Sequence, residues 1–124
     1  MKTYHSNTNP NRIVLNSRTR LNVPVNFVVL LIGQINYTTF IMTDGTKQVV
    51  AYTLKYFEPF LETHGFQRIH RCSMINPSFI KEYCQEESLV TMKNGMSMKV
   101  SRRRKDTFLG LTIQGESTLL PQLT

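Results

Sequence analysis

The sequence predicts a mainly β fold: antiparallel sheets in an elongated arrangement, with one short helix and a further helix near the C-terminus. Three observations predict it. Apolar residues alternate with polar ones over short stretches. Two Asx-Gly pairs, Asp44-Gly45 and Asn94-Gly95, each sit between such stretches. Only one segment before residue 100 has apolar residues at helical spacing.

Residues 1–11 are rich in Asn, Thr, Ser and Pro and read as a mobile N-terminal arm. From Arg12 the alternation begins, with Ile13 and Leu15, then Leu21, Val23 and Val25. Residues 27–32 form the longest apolar run, rich in Val, Leu and Ile, and read as a strand buried on both faces, although so short an apolar run also suits a helix. Residues 37–43 and 47–52 flank Asp44-Gly45, and residues 88–92 and 97–100 flank Asn94-Gly95. Each pair reads as a hairpin, with a type I′ turn expected at Asp44-Gly45 because such turns need positive φ angles. Residues 54–63 read as a helix with Thr53 as its cap, Gly65 at its end and Leu54, Phe57 and Leu61 on one face. Pro59 shortens or kinks it. A second helix starts after Ser101 and runs to about Gly110, anchored by Phe108, Leu109 and Leu111.

Length and charge bound the function. The chain has 124 residues, enough for one domain, and 15 Lys and Arg against 8 Asp and Glu give a net charge of +7. That balance points to a polyanionic partner, nucleic acid first and an anionic membrane surface second. An apolar run of six residues is far short of the roughly 18 that a membrane span needs, so no membrane insertion is expected. No secretory signal is visible, and two cysteines, Cys72 and Cys84, suit a reducing, cytoplasmic setting. The three histidines and two cysteines form no metal-binding pattern, and neither phosphate-loop nor dinucleotide fingerprints occur, so no metal or cofactor is expected.

Lys99, Arg102, Arg103, Arg104 and Lys105 place five cations within seven residues, without an acid. A charge run is usually a solvated face. Here a helix beginning after Ser101 would put four of these cations at the positive end of its dipole, which costs roughly 0.3–1 kcal/mol per charge. A bound phosphate reverses that cost, so phosphate binding is the favoured reading. In the stretch 66–76, His70 and Cys72 suggest a base and a nucleophile, but no nearby acid orients the histidine. A structural histidine bonded under a loop is expected, and no enzyme. Tyr37, in the loop before the first hairpin, is left open between core and surface.

Taken together, Phe66-x-Arg68-x-His70-Arg71-x-x-x-x-Asn76, then Ile80, Lys93-Asn94-Gly95 and Val100-Ser101-Arg102-Arg103, resemble the signature of the LytTR DNA-binding domain. Asn36-Tyr37-Thr38, Asp44-Gly45 and Leu54 also sit where that family places its counterparts, and the resemblance covers about residues 12–112. Cys72 departs from the family's usual serine, and Ser73 from its large residue. The resemblance implies an elongated, mostly antiparallel β fold in a bacterial transcription regulator. It implies loops inserted into successive major grooves of double-stranded DNA, at paired direct repeats, with a homodimer formed on DNA. Carried over residue by residue, the contacting positions are Asn36 with Tyr37, Arg71, and Arg103 with Arg102. Lys99, Arg104 and Lys105 then hold phosphates. Members are commonly the output half of a response regulator. At 124 residues a stand-alone member without the receiver domain is expected, with 113–124 as a C-terminal tail. Two rival readings share the charge: an RNA-binding β module, and a regulatory module held by a protein partner through the apolar positions of 108–120.

Overall fold

A computed structural model of the chain describes residues 3–5 and 9–115, with side chains as far as Phe108. In chain order the elements are β1 (Arg12–Asn16), β2 (Leu21–Pro24), β3 (Val28–Gly33), β4 (Thr38–Met42), β5 (Lys47–Val50), α1 (Leu54–Glu62), β6 (Gln67–His70), β7 (Ser73–Ile75), β8 (Ile80–Cys84), β9 (Leu89–Met92), β10 (Ser97–Lys99) and α2 (Arg102–Gly115). Three antiparallel sheets result. β1 pairs with β2, β8 to β10 form a meander, and a central sheet has the order β5-β4-β3-β7-β6.

The apolar run becomes β3, the middle of the central sheet, paired with β4 on one side and β7 on the other. Val28 to Leu31 are buried, as expected of a strand covered on both faces, while Phe27 lies outside it and is half exposed. Pleating sends alternate side chains to opposite faces. Leu31, Phe40, Met42 and Met74 join a core closed by β1, β2 and the Leu54, Phe57 and Leu61 face of α1. Leu30, Ile41 and Ile75 join a second core closed by the β8–β10 sheet and Phe108 of α2. The central sheet is therefore covered on both sides, and its strand ends are left to carry surface loops.

Four local expectations are corrected. The N-terminal arm is not wholly polar and free, because Tyr4 is buried. Its amide donates to the Tyr56 carbonyl at 2.8 Å, and its hydroxyl accepts from the Val14 amide at 2.9 Å. Neither Asx-Gly turn is type I′. Only Gly45 and Gly95 take positive φ, +89° and +93°, and neither Asp44 nor Asn94 does. Gly45 donates to Met42 and Gly95 to Met92, while Met42 pairs with Thr46 and Met92 with Met96. These are three-residue loops ending in a left-handed glycine. The Asp44 and Asn94 side chains hold them there, accepting from the Thr46 amide at 2.9 Å and the Met96 amide at 3.0 Å.

Thr53 precedes α1, but its side chain makes no capping bond. Pro59 lies inside the helix, which is short as expected, at nine residues. Pro59 and Lys55, the residue whose carbonyl a proline here leaves without its helical amide partner, are both exposed, while Leu54, Phe57 and Leu61 are buried. The second helix starts where expected and runs to Gly115, beyond Gly110. The Leu109 and Leu111 side chains lie outside the described residues, as does the structure of 116–124.

Candidate nucleic-acid interface

The chain reverses between β3 and β4 through Gln34, Ile35, Asn36 and Tyr37, closed by the Gln34 amide on the Tyr37 carbonyl at 2.8 Å. All four side chains are exposed. Tyr37 is therefore a surface residue, half exposed, and Ile35 is the most exposed large apolar residue described, at 89%. Thr38 is buried instead, its hydroxyl donating to the Tyr52 carbonyl at 2.7 Å.

The turn between β6 and β7 carries Arg71 and Cys72, both exposed. It is fixed from several sides. The Cys72 amide donates to His70 Nδ1 at 3.1 Å, so His70 is a structural histidine bonded to the loop. The Cys72 carbonyl accepts from the Gly33 amide at 2.7 Å, which ties this turn to the end of β3. Arg68 reaches back under the turn. Its Nε donates to the His70 carbonyl at 2.9 Å and one Nη to the Arg71 carbonyl at 2.6 Å. Its other Nη meets Glu58 of α1 at 2.6 Å. A groove of about 620 Å³ runs between these loops, lined by Ile35, Leu54, Lys55, Arg68, Arg71 and Cys72.

The third segment joins β10 to α2. The Ser101 amide donates to the Ile69 carbonyl at 2.8 Å, fastening this junction to β6, and the Ser101 carbonyl accepts from the Arg104 amide as the helix begins. Arg102, Arg103, Arg104 and Lys105 form its first turn, which contains no acid. Arg102 and Arg103 are exposed, whereas Arg104 and Lys105 are partly covered. Arg104 lines a groove of about 400 Å³ with Glu62, Phe66 and Arg68. Loss of solvent and the neighbouring Glu58 raise the Glu62 carboxyl above its ordinary range, against the downward pull of Arg104 and Arg68. Lys99 is exposed and donates to the Glu87 carbonyl at 2.9 Å.

β6 thus gathers all three segments. Arg71 follows its last residue, Cys72 binds Gly33 at the end of β3, where the loop of Asn36 and Tyr37 begins, and Ile69 holds the start of α2. Among the cations, Arg71, Arg102 and Arg103 are exposed, while Arg68 is turned inward onto an acid and two carbonyls. Two residues of this region occupy positions that composition did not reveal. Arg68 lies inside the quoted motif, but its partners are backbone carbonyls and a glutamate ten residues earlier. Ile35 is an isoleucine left in solvent, and only its flanking polar residues signal a loop. Among the described residues, no group of three or more His, Cys, Asp or Glu side chains is placed to hold a metal, and no helix is long and apolar enough to cross a membrane.

Comparison with known proteins agrees with this geometry. The family model of the LytTr DNA-binding domain matches residues 18–112. A solved LytTr DNA-binding domain from Bacillus cereus is similar over 82% of this chain and 95% of its own, with a TM-score of 0.69 and 25% sequence identity. No curated protein matches the chain. The mainly antiparallel β architecture with two helices is the one that domain has. The chain belongs to the LytTr DNA-binding domain family, a DNA-binding rather than a catalytic module of transcription regulators.

Proposed function

We propose that the protein is a sequence-specific regulator of transcription that sets its loops into successive major grooves of double-stranded DNA. The observation that carries this reading is the gathering of three surface segments around β6, each with exposed polar or cationic side chains and each pinned by backbone hydrogen bonds. Pre-fixed loops lose little freedom on binding, so their contacts convert to affinity and discrimination.

Roles divide by exposure. Arg71 and Arg103 read bases, since arginine matches guanine O6 and N7 with two bonds. Asn36 and Tyr37 approach from the neighbouring loop, and asparagine suits adenine N6 and N7. Arg102, Lys105, Lys99 and Arg104 hold phosphates and set register. The helix start supports a phosphate there, because its free amides and dipole favour an anion amid four cations. Paired direct repeats with a dimer formed on DNA, and a cytoplasmic site of action, belong to the same reading.

The test begins with selection of bound sequences from a random duplex pool. The expected product is a paired short motif at helical-turn spacing. On the selected duplex Arg103→Ala should cost roughly 1–3 kcal/mol and little on random DNA. Lys105→Ala should weaken both alike and lower the salt slope by about one. Equal losses for Arg103→Ala on both duplexes would refute base reading. Preference for single-stranded RNA in competition would favour the RNA-binding alternative.

A further inference from the structure

We propose that Arg68 is the positioning residue for Arg71: its guanidinium spans two carbonyls of the β6–β7 turn and is braced from behind by Glu58. The inference rests on the reading of Arg71 as a DNA contact. A guanidinium is a planar fork of five N–H groups. Here one edge is spent on the His70 and Arg71 carbonyls, at 2.9 and 2.6 Å, and the remaining nitrogen on the Glu58 carboxylate at 2.6 Å. Fixing two successive carbonyls fixes the peptide planes on both sides of the Arg71 Cα. That sets the direction in which the exposed Arg71 side chain leaves the turn.

The opposite side of the turn is held independently. The Cys72 amide is bonded to His70, and the Cys72 carbonyl accepts from Gly33. The turn is therefore clamped from two directions, and Arg68 supplies the only side-chain donor among the bonds described to the His70 and Arg71 carbonyls. Arg68 itself is unsuited to phosphate contact. Its side chain is 12% exposed, and a carboxylate already balances its charge. α1, which precedes β6 in the chain, thus acts on the candidate contact through one acid.

The role makes separable demands. Lysine keeps the charge but not the planar fork, and so cannot reproduce two coplanar carbonyl bonds together with the carboxylate contact. Glutamine removes the charge as well. Wild type, Arg68→Gln, Arg68→Lys, Arg71→Ala and the Arg68→Lys/Arg71→Ala double variant are titrated with the pool-selected duplex and a random duplex over a salt series, with melting temperatures recorded. Arg71→Ala should lower preference for the selected duplex about 5- to 150-fold. Arg68→Gln and Arg68→Lys should each lower that preference several-fold with an unchanged salt slope. In the Arg71→Ala background, Arg68→Lys should add nothing.

Three results overturn the role while leaving Arg71 as a contact. Wild-type preference in Arg68→Lys makes charge alone sufficient. A salt slope lower by about one in Arg68→Gln makes Arg68 a phosphate contact. A separate, additive loss in the double variant makes it a general stabiliser of the fold. Arg71→Ala with wild-type preference instead removes the reading of Arg71 as a contact, and the role of Arg68 with it. Should Arg68→Gln fail to fold, Arg68→Lys alone decides, since the rescue and additivity tests both run on it.

Discussion

Deleting residues 1–8, or replacing Tyr4 alone, tests where this domain begins. The Tyr4 ring lies 4.7 Å from Phe60 and 5.9 Å from Phe57, centroid to centroid, and is 8% exposed. Truncating a large aromatic in such a site costs about 3 kcal/mol, the lower end of the range because the ring is not fully enclosed. Tyr4→Phe removes only the acceptor for the Val14 amide, for about 1 kcal/mol. For 124 residues the unfolding entropy is roughly 0.26 kcal/mol/K, so the melting temperature should fall by about 12 °C in Tyr4→Ala and about 4 °C in Tyr4→Phe. The deletion should match or exceed Tyr4→Ala, because it also removes the Tyr4 amide bond to Tyr56. Differential scanning calorimetry measures all three. A deletion variant melting within about 2 °C of the full chain would refute the assignment of Tyr4 to the core.

Asn76 is buried, donates to the Val28 carbonyl at 3.0 Å and accepts from the Ser78 amide at 3.1 Å; Asn76→Ala should cost about 2–4 kcal/mol in urea unfolding. Glu62→Gln should stabilise the fold near neutral pH. A carboxyl raised in the folded state favours folding below its unfolded value of about 4.5 and loses that favour as pH rises through its folded value, so the gain should vanish in melts at low pH. Gly95→Ala should cost about 1–2 kcal/mol, read as a lower urea midpoint, because φ of +93° burdens any side chain. Arg102→Gln combined with Arg103→Gln should raise the melting temperature of the free protein at low salt, by roughly 0.6–2 kcal/mol of relieved helix-end repulsion. High salt should close that gap, and DNA titrations should show a salt slope lower by about one, the share of Arg102 as the phosphate contact of the pair.

Features encoded by neighbours in sequence were legible, and those encoded by distant partners were not. The hairpins at Asp44-Gly45 and Asn94-Gly95, the Leu54, Phe57 and Leu61 face of α1 and the start of α2 after Ser101 all depend on local chemistry, and all are present. The turn type was misjudged because the Asp and Asn side chains bond the amide two residues on, which favours a right-handed residue followed by a left-handed glycine. Tyr4 was missed because its partners on α1 lie some fifty residues away. The pairing of β3 with β7, which brings the Tyr37 and Arg71 loops together, joins residues more than forty positions apart. Charge located the basic run beyond residue 99, but not which of its members face solvent.

Those exposures give the cations different uses. A cation set against an acid or a carbonyl gains a fixed position and gives up part of its reach; Arg68 on Glu58 and Lys99 on the Glu87 carbonyl are of this kind. A cation left exposed at the start of a helix costs stability and keeps its charge for a ligand; Arg102 and Arg103 are of this kind. Arg104 stands between them, in the helix's first turn yet within the field of Glu62. The two acids of α1 thus act on the inward side of the basic region, where they steady it, and leave its outer side uncompensated. An uncompensated helix start is stable only marginally alone and more so with a polyanion, and the free energy withheld from folding there is returned on binding. On the proposed reading, part of the electrostatic cost at α2 in the free protein is recovered when a polyanion binds there.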